Sequence, residues 1–243
     1  MKIIIVLLFS VSLLAQTKPL DVKIDTITSD NSNPKKRVYR IQYHIENKTE
    51  TGISFFLRPN TLIANAASSL TLYPIYKIYQ NNHFTPLDGP FYERESNAEW
   101  NVYLEMPDKT SAEAKALLKK IIAEQEVQVK KIIDDYQKSG GTSDDKMWIL
   151  KNNRLLQSKI TMLPKEIKSF TIVTSWNKER YFLQDDLEYY LDEKDKFEFE
   201  ITLHLIKTHF EDQLSPEEFS TVAKDRNFIE GIFTSNKKEI NFN

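Results

Sequence analysis

The chain has 243 residues, with 33 Lys+Arg against 35 Asp+Glu and a formal net charge of −2. That balance lacks the basic excess needed to neutralise phosphates, so nucleic acid is not an expected partner. The absence of cysteine removes disulfides, thiolate metal sites and cysteine nucleophiles, and with only five glycines the sequence holds neither a phosphate-cradling loop nor a GxSxG turn.

In chain order, Met1 and Lys2 precede an apolar run from Ile3 to Leu14 that ends at Ala15 and Gln16. The run is shorter than the roughly 20 residues of a membrane helix and reads as a secretory signal cut after Ala15. Leu13 departs from the small residue preferred two positions before the cut, and the competing reading is an uncleaved anchor. No cysteine follows to carry a lipid. Residues 16–243 are therefore expected as one exported domain, periplasmic or secreted, with no membrane span after cleavage and, without Lys2, a net charge one unit more negative than −2.

"LDVKIDTIT" (20–28) alternates as a half-buried strand does, and "SDNSNPKK" reads as a loop. "RVYRIQYHIENKT" puts Tyr39, Ile41, Tyr43 and Ile45 on one face and Arg40, Gln42, His44 and Glu46 on the other. Asn47 to Gly52 turns the chain and "ISFFLRPN" returns it. "SLTLYPIYKIYQNN" gives a further strand or two, with Pro74 arguing for an edge position or a bulge. "HFTPLDGPFYE" reads as a loop and "AEWNVYLEM" as another strand.

A helical insertion over about 108–157 is expected next. Thr110 and Glu113 form a capping box, and Gly140 and Gly141 end the helix about 43 Å later. Steps of 100° place Ala114, Leu117, Leu118, Ile121, Ile122, Val129, Ile132, Ile133 and Tyr136 in one stripe of about 160°, with Gln125 in its middle and Val127 off it. Such a width suits a lid on the sheets; the competing reading is an arm that docks a partner or a second copy. "DDKMWILKNNRLLQ" is read as a second helix returning along the first.

Strands then resume with "KITML", the turn "PKE" at 164–166 and "IKSFTIVTSW". "RYFLQDDLEYYLDEKD" is acidic and aromatic without a period. "KFEFEITLHLIKTHF" is the best strand, with Phe197, Phe199, Ile201, Leu203 and Leu205 facing one way. Ser215, Pro216 and Glu218 start a short C-terminal helix. "NFIEGIFT" and "EINF" are expected to form a last hairpin through Ser235 to Lys238. The fold class expected from this series is mainly β, an antiparallel sandwich with a helical insertion. Through "YRIQYHIENKTETGISFFL" and "ITMLPKEIKSFTIVTSW" the pattern resembles secreted immunoglobulin-like or fibronectin-like sandwich modules. The resemblance covers about half the chain and implies a binding or scaffolding role.

Chemistry-bearing residues are few. None of the four histidines belongs to an HExxH pair. His204 shares a strand face with Glu198, Glu200 and Thr202, a set able to move protons or bind a metal, although such alternation is also how a solvated sheet face reads. Asp185, Asp186, Glu188, Asp192, Glu193 and Asp195 match no calcium-loop spacing and read as an acidic loop. Tyr92 with Trp100, and Tyr189 with Tyr190, are the candidate outward aromatics for a protein or surface glycan. Asn47, Lys48 and Thr49 form a glycosylation sequon that only a glycosylating cell would use. No cofactor and no metal are expected. The function expected is a non-enzymatic binding or scaffolding protein, and the alternative is an exported hydrolase using carboxylates and His204.

Overall fold

The computed structural model describes residues 18–33, 36–64, 72–85, 102–103, 106–177, 183–184, 187–188 and 195–242. Residues 1–17, on which the expected signal falls, Tyr92, Trp100, Tyr189, Tyr190 and most of the 185–193 acidic run lie outside the described residues.

The first strand, β1, runs Leu20–Asn33, and β2 runs Lys36–Asn47. "SDNSN" is thus the arm of a long hairpin and not a loop: Asp30 pairs with Val38 and Asn33 with Lys36. Its polar composition follows from exposure on both faces beyond Ile27, where no core demands apolar side chains. Leu20, Val22 and Ile24 on β1 and Tyr39, Ile41, Tyr43 and Ile45 on β2 are buried, as the alternation predicts.

β3 (Ile53–Phe56) does not return along β2 but pairs with a distant strand, and all four of its residues are buried. β4 (Ile63–Ala64) lies parallel to β5 (Ile75–Gln80). Pro74 precedes β5 and does not interrupt it; its carbonyl accepts from Ile63 N at 3.0 Å, and β5 is an interior strand. Asn81 and Asn82, at φ 49° and 67°, make the tight turn to β6 (His83–Thr85), so the start of "HFTPLDGPFYE" is strand. Within "AEWNVYLEM", Val102 and Tyr103 are helical, against the strand expectation.

α1 spans Ala112–Lys138. Its cap is Ser111, whose Oγ accepts from Ala114 N at 3.1 Å. Thr110 is occupied one step earlier, donating through N and Oγ1 to Asp108 Oδ1 at 2.7 Å, so the box expected from Thr110 and Glu113 does not form. At the other end Gly141 N bonds Tyr136 O, Gly140 N bonds Gln137 O, and Gly140 has φ 89°, the glycine-dependent helix stop. α2 (Lys146–Gln157), capped by Asp145, packs beside α1 as read from the sequence.

β7 (Lys159–Met162) pairs with β3, and the turn at Lys165 (φ 60°) sends the chain into β8 (Ile167–Asn177) on β2. β9 (Leu183–Gln184) and β10 (Leu187–Glu188) pair with each other. β11 (Phe197–Leu205) is followed by a 3-10 turn over Thr208–Gln213 and by α3 (Pro216–Lys224), where Ser215 and Glu218 form the capping box and Pro216 opens the helix. β12 (Gly231–Thr234) and β13 (Lys238–Ile240) are not a hairpin. Both pair antiparallel with β11, one after the other, and Ser235 fills the break by accepting from Ile201 N and donating its own N to Ile201 O.

The protein is therefore mostly β, with antiparallel sheets and a few helices. The two larger sheets are β1-β2-β8 and β12-β11-β5-β4, the latter with β13 on β11 and β6 on β5, beside the two-stranded pairs β3-β7 and β9-β10. Their inward residues meet in one apolar cluster that includes Tyr43, Ile45 and Ile172 from the first sheet and Phe197, Phe199 and Ile201 from the second. A second cluster of Phe56, Leu155, Phe210, Leu214, Val222 and Phe228 seats α2, the 3-10 turn and α3 against β3. Outermost is α1: of its predicted stripe only Ala114 and Ile121 are buried, and Ile122 is exposed. Among the described residues no helix is long and apolar enough to cross a membrane.

Candidate functional site

The polar face of β11 carries Glu198, Glu200, Thr202 and His204. Register puts Tyr79 of β5 beside Glu198 and Lys77 beside Glu200, with Thr234 of β12 beside Thr202 and Ile232 beside His204. The face is not the solvated one that alternation suggests, for Glu200 is only 8% exposed and Thr202 and Ile75 are buried. An interior strand of a six-stranded sheet has less water around it than its pattern alone implies.

Each carboxylate there already has a local counterpart. Tyr79 Oη donates to Glu200 Oε1 at 2.9 Å; burial first, then that hydrogen bond, pushes the Tyr79 phenol up to about 12. Lys237 Nζ lies 3.5 Å over the Tyr79 ring and 3.6 Å from Glu198 Oε2, which has no hydrogen-bond donor. The His204 imidazole is held below its ordinary range by burial and, second, by the charge of Lys77. Four residues along a strand put His204 about 13 Å from Glu200 and six put it about 20 Å from Glu198. Proton transfer between catalytic groups needs contact through a hydrogen bond or one water. The strand therefore brings Glu198, Glu200 and His204 to one face but not to one reacting centre. Among the described residues no group of three His, Asp or Glu could hold a metal ion. Asp195 of the acidic run is taken by Gln80 Nε2.

On the outer face of the first sheet, His44 Nδ1 contacts Asp25 at 2.8 Å and Ser169 stands opposite His44 in register. That face is open, Ser169 being exposed, and a flat sheet offers nothing to exclude water from a reacting group.

The helical layer offers a concave surface. A cleft of 420 Å³ opens where the C-terminal turns of α1, one side of α2 from Trp148 to Leu156 and the start of α3 converge. Tyr136 and Trp148 meet in it edge to face, with ring centroids 5.9 Å apart at 71°. Trp148 is fixed by Nε1 donating to Asp212 O at 2.8 Å, and Tyr136 Oη accepts from Ser143 N at 3.2 Å. A Cβ at Gly141 would overlap the Tyr136 ring, so the helix stop also sets the position of the aromatic. Asn152 is buried and donates to Gln213 O at 2.9 Å and Glu218 Oε2 at 2.8 Å, tying α2 to α3 beneath the cleft. Asp135 and Glu217 line it with exposed carboxylates. Among the described residues that line it there is no lysine or arginine, so the cleft offers an anion no cationic side chain, while rings, carboxylates and amides suit hydroxyl- or amine-bearing groups.

The sequence assigns Tyr136 and Trp148 to two helices and not to one site. The signal that linked them was the expected return of α2 along α1, which puts the end of one helix beside the start of the other. Compared with known proteins, the chain matches no family model, no curated protein and no solved structure.

Proposed function

We propose that this chain is an exported, non-enzymatic binding or scaffolding protein of the cell envelope or exterior, and that it engages a protein or a surface glycan through the helical layer. The observation that carries this reading is the cleft at the junction of α1, α2 and α3, where an oriented aromatic pair stands beside carboxylates and carboxamides. Two mainly antiparallel sheets that share one apolar cluster are compatible with the resemblance to immunoglobulin-like or fibronectin-like sandwich modules, whose plan presents binding surfaces on a rigid β body. The leader-like N-terminus supports export. The distance between His204 and either carboxylate speaks against the hydrolase alternative.

The test is binding of purified protein to an array of envelope glycans and to solubilised envelope proteins, followed by calorimetry with the best ligand. Trp148→Ala and Glu217→Gln are expected to weaken binding at least about tenfold, the range of a lost ring or charged hydrogen bond, with His204→Gln unchanged. Binding indifferent to both cleft variants, or a substrate turnover that His204→Gln abolishes, would overturn the proposal.

A further inference from the structure

α2 borders two cavities of opposite charge. Trp148, Asn152 and Leu156 line the cleft with its carboxylates, whereas Arg154, Gln157 and Ser158 line a separate pocket of 260 Å³ that Arg58, Asn60 and Thr61 complete. Among the described residues that line this pocket there are two arginines and no carboxylate. The sequence carries the same bias on a larger scale. With 35 Asp+Glu in 243 residues, the chain has an acidic residue at about one position in seven, yet none from Thr51 to Leu87 or from Lys146 to Lys165, the two segments that meet here.

Main-chain bonds fix the frame of the pocket. The loop leaving β3 is held at three consecutive residues: Leu57 N donates to Ser158 O at 2.9 Å, Arg58 N donates to Leu72 O at 2.7 Å, and Pro59 O accepts from Tyr43 Oη at 2.6 Å. Arg58 is half-buried, with Nη1 donating to Tyr73 Oη at 3.3 Å and the guanidinium 5.8 Å from the centre of that ring. Its position is thus set before a ligand arrives, which lowers the entropic cost of binding. Arg154 is exposed in the last turn of α2, and among the described residues its side chain has no hydrogen bond or ion pair. A cation there opposes the negative end of the helix dipole, but that end amounts to only about half a unit charge against two guanidinium groups. The Leu155 and Leu156 carbonyls already accept from Ser158 N, and the Ser158 carbonyl from Leu57 N. A net positive charge therefore remains in the pocket.

We propose that this pocket binds an oxyanion, phosphate or carboxylate, carried on a group no larger than one sugar ring. A guanidinium is a planar fork that meets two oxygens of such a group at once, and an ammonium is not. The carboxamides of Asn60 and Gln157 border the same space and suit the hydroxyls of the carrier. The volume of 260 Å³ lies just below the roughly 300–1,000 Å³ of sites for drug-sized ligands, which sets the limit on size. The cations stand in a recess, which selects a small anion over the flat charge of a membrane surface.

The experiment is calorimetric titration of the purified protein with glucose 6-phosphate, glucuronate and glucose at two salt concentrations, with co-sedimentation on phosphatidylglycerol vesicles in parallel. The expected result is that at least one charged sugar binds with a Kd of about 1 mM or tighter, that its affinity falls as salt rises, and that glucose does not bind. Arg154→Gln and Arg58→Gln should each weaken binding at least about tenfold, and Arg154→Lys, which keeps the charge but not the fork, should weaken it less than Arg154→Gln. Arg154 is exposed, so its variants should melt with the parent and keep the test decisive if Arg58→Gln disturbs the fold. Lys23→Gln removes the same charge from an exposed position on β1 and should leave the affinity within about twofold. No binding of either charged sugar at about 20 mM overturns the proposal. So does binding that Arg154→Gln leaves unaltered, or vesicle binding that Arg154→Gln abolishes while neither charged sugar binds.

Discussion

Asn47 is fully buried at the end of β2, and its side chain makes four hydrogen bonds. Nδ2 donates to Thr51 O and to Leu163 O, both at 2.8 Å; Oδ1 accepts from Thr49 N at 2.9 Å and Thr49 Oγ1 at 2.7 Å. The carboxamide thus clasps the turn after β2 to the turn before β8, across 116 residues of sequence. In Asn47→Ala these bonds vanish, at a net of about 1 kcal/mol each. The two carbonyls are not orphaned, since Thr51 O keeps Thr49 Oγ1 and Leu163 O keeps Glu166 N. Thr49 N does lose its partner, and a small void remains. A total of about 3–4 kcal/mol follows, against a typical total stability of 5–15 kcal/mol. For a chain of this size that lowers the melting temperature by about 10 °C, measurable by calorimetry. Asn47→Asp keeps the acceptor and turns the donor into an oxygen facing two carbonyls. Burial and those carbonyls raise the folded-state pKa of such an aspartate, so this variant should recover stability as pH falls and lose it as pH rises. A melting temperature for Asn47→Ala within about 3 °C of the parent would refute the reasoning. The same burial means that the folded chain cannot present the sequon amide to a glycosylating enzyme.

Thr174 Oγ1 is buried with no hydrogen-bond partner, so Thr174→Val removes an unsatisfied group and should raise the melting temperature by about 2–4 °C; a fall would show that the hydroxyl is satisfied in solution. Because the folded-state pKa of His204 is depressed, stability should be fully present above the ordinary histidine range and be lost as pH falls through the folded value. His204→Gln should flatten that acid limb, and Lys77→Gln should raise the His204 titration midpoint followed by NMR; an unmoved midpoint would remove Lys77 as a cause. Ser111→Ala should destabilise α1 by about 1 kcal/mol in chemical denaturation, more than Thr110→Ala, whose hydroxyl serves the preceding turn; the reverse order would return the cap to Thr110.

Much of the local architecture was legible from side-chain spacing. Tyr39 to Ile45 and Phe197 to Leu205 are buried on the alternate positions that the sequence marks, and α2 returns along α1. Ser215, Pro216 and Glu218 begin α3 as their types require. These features depend on neighbours within a few residues, where periodicity and capping act. Errors arose where a partner from far along the chain decides. "SDNSN" is strand because β2 pairs with it, β12 and β13 are separate because β11 is long enough for both, and β3 crosses to β7. The candidate site divides in the same way. Alternation correctly put His204, Glu198 and Glu200 on one face, yet the burial of that face, the Tyr79 bond to Glu200 and the Lys237 stack belong to β5 and to the break between β12 and β13.

The pattern of residues alone marks the apolar side chains of β1, β2 and β11 that face inward, where α1 stops and α3 starts, and which cysteine- and glycine-dependent chemistries are absent. Which strands are neighbours, that Tyr136 and Trp148 share a cleft, and that Asn236 meets the β1 edge at Ile24 were settled by tertiary contacts. The physical reason is that inward and outward are set by a repeat of two or 3.6 residues along the chain, whereas pairing and clefts are set by which distant surfaces lose the most water together.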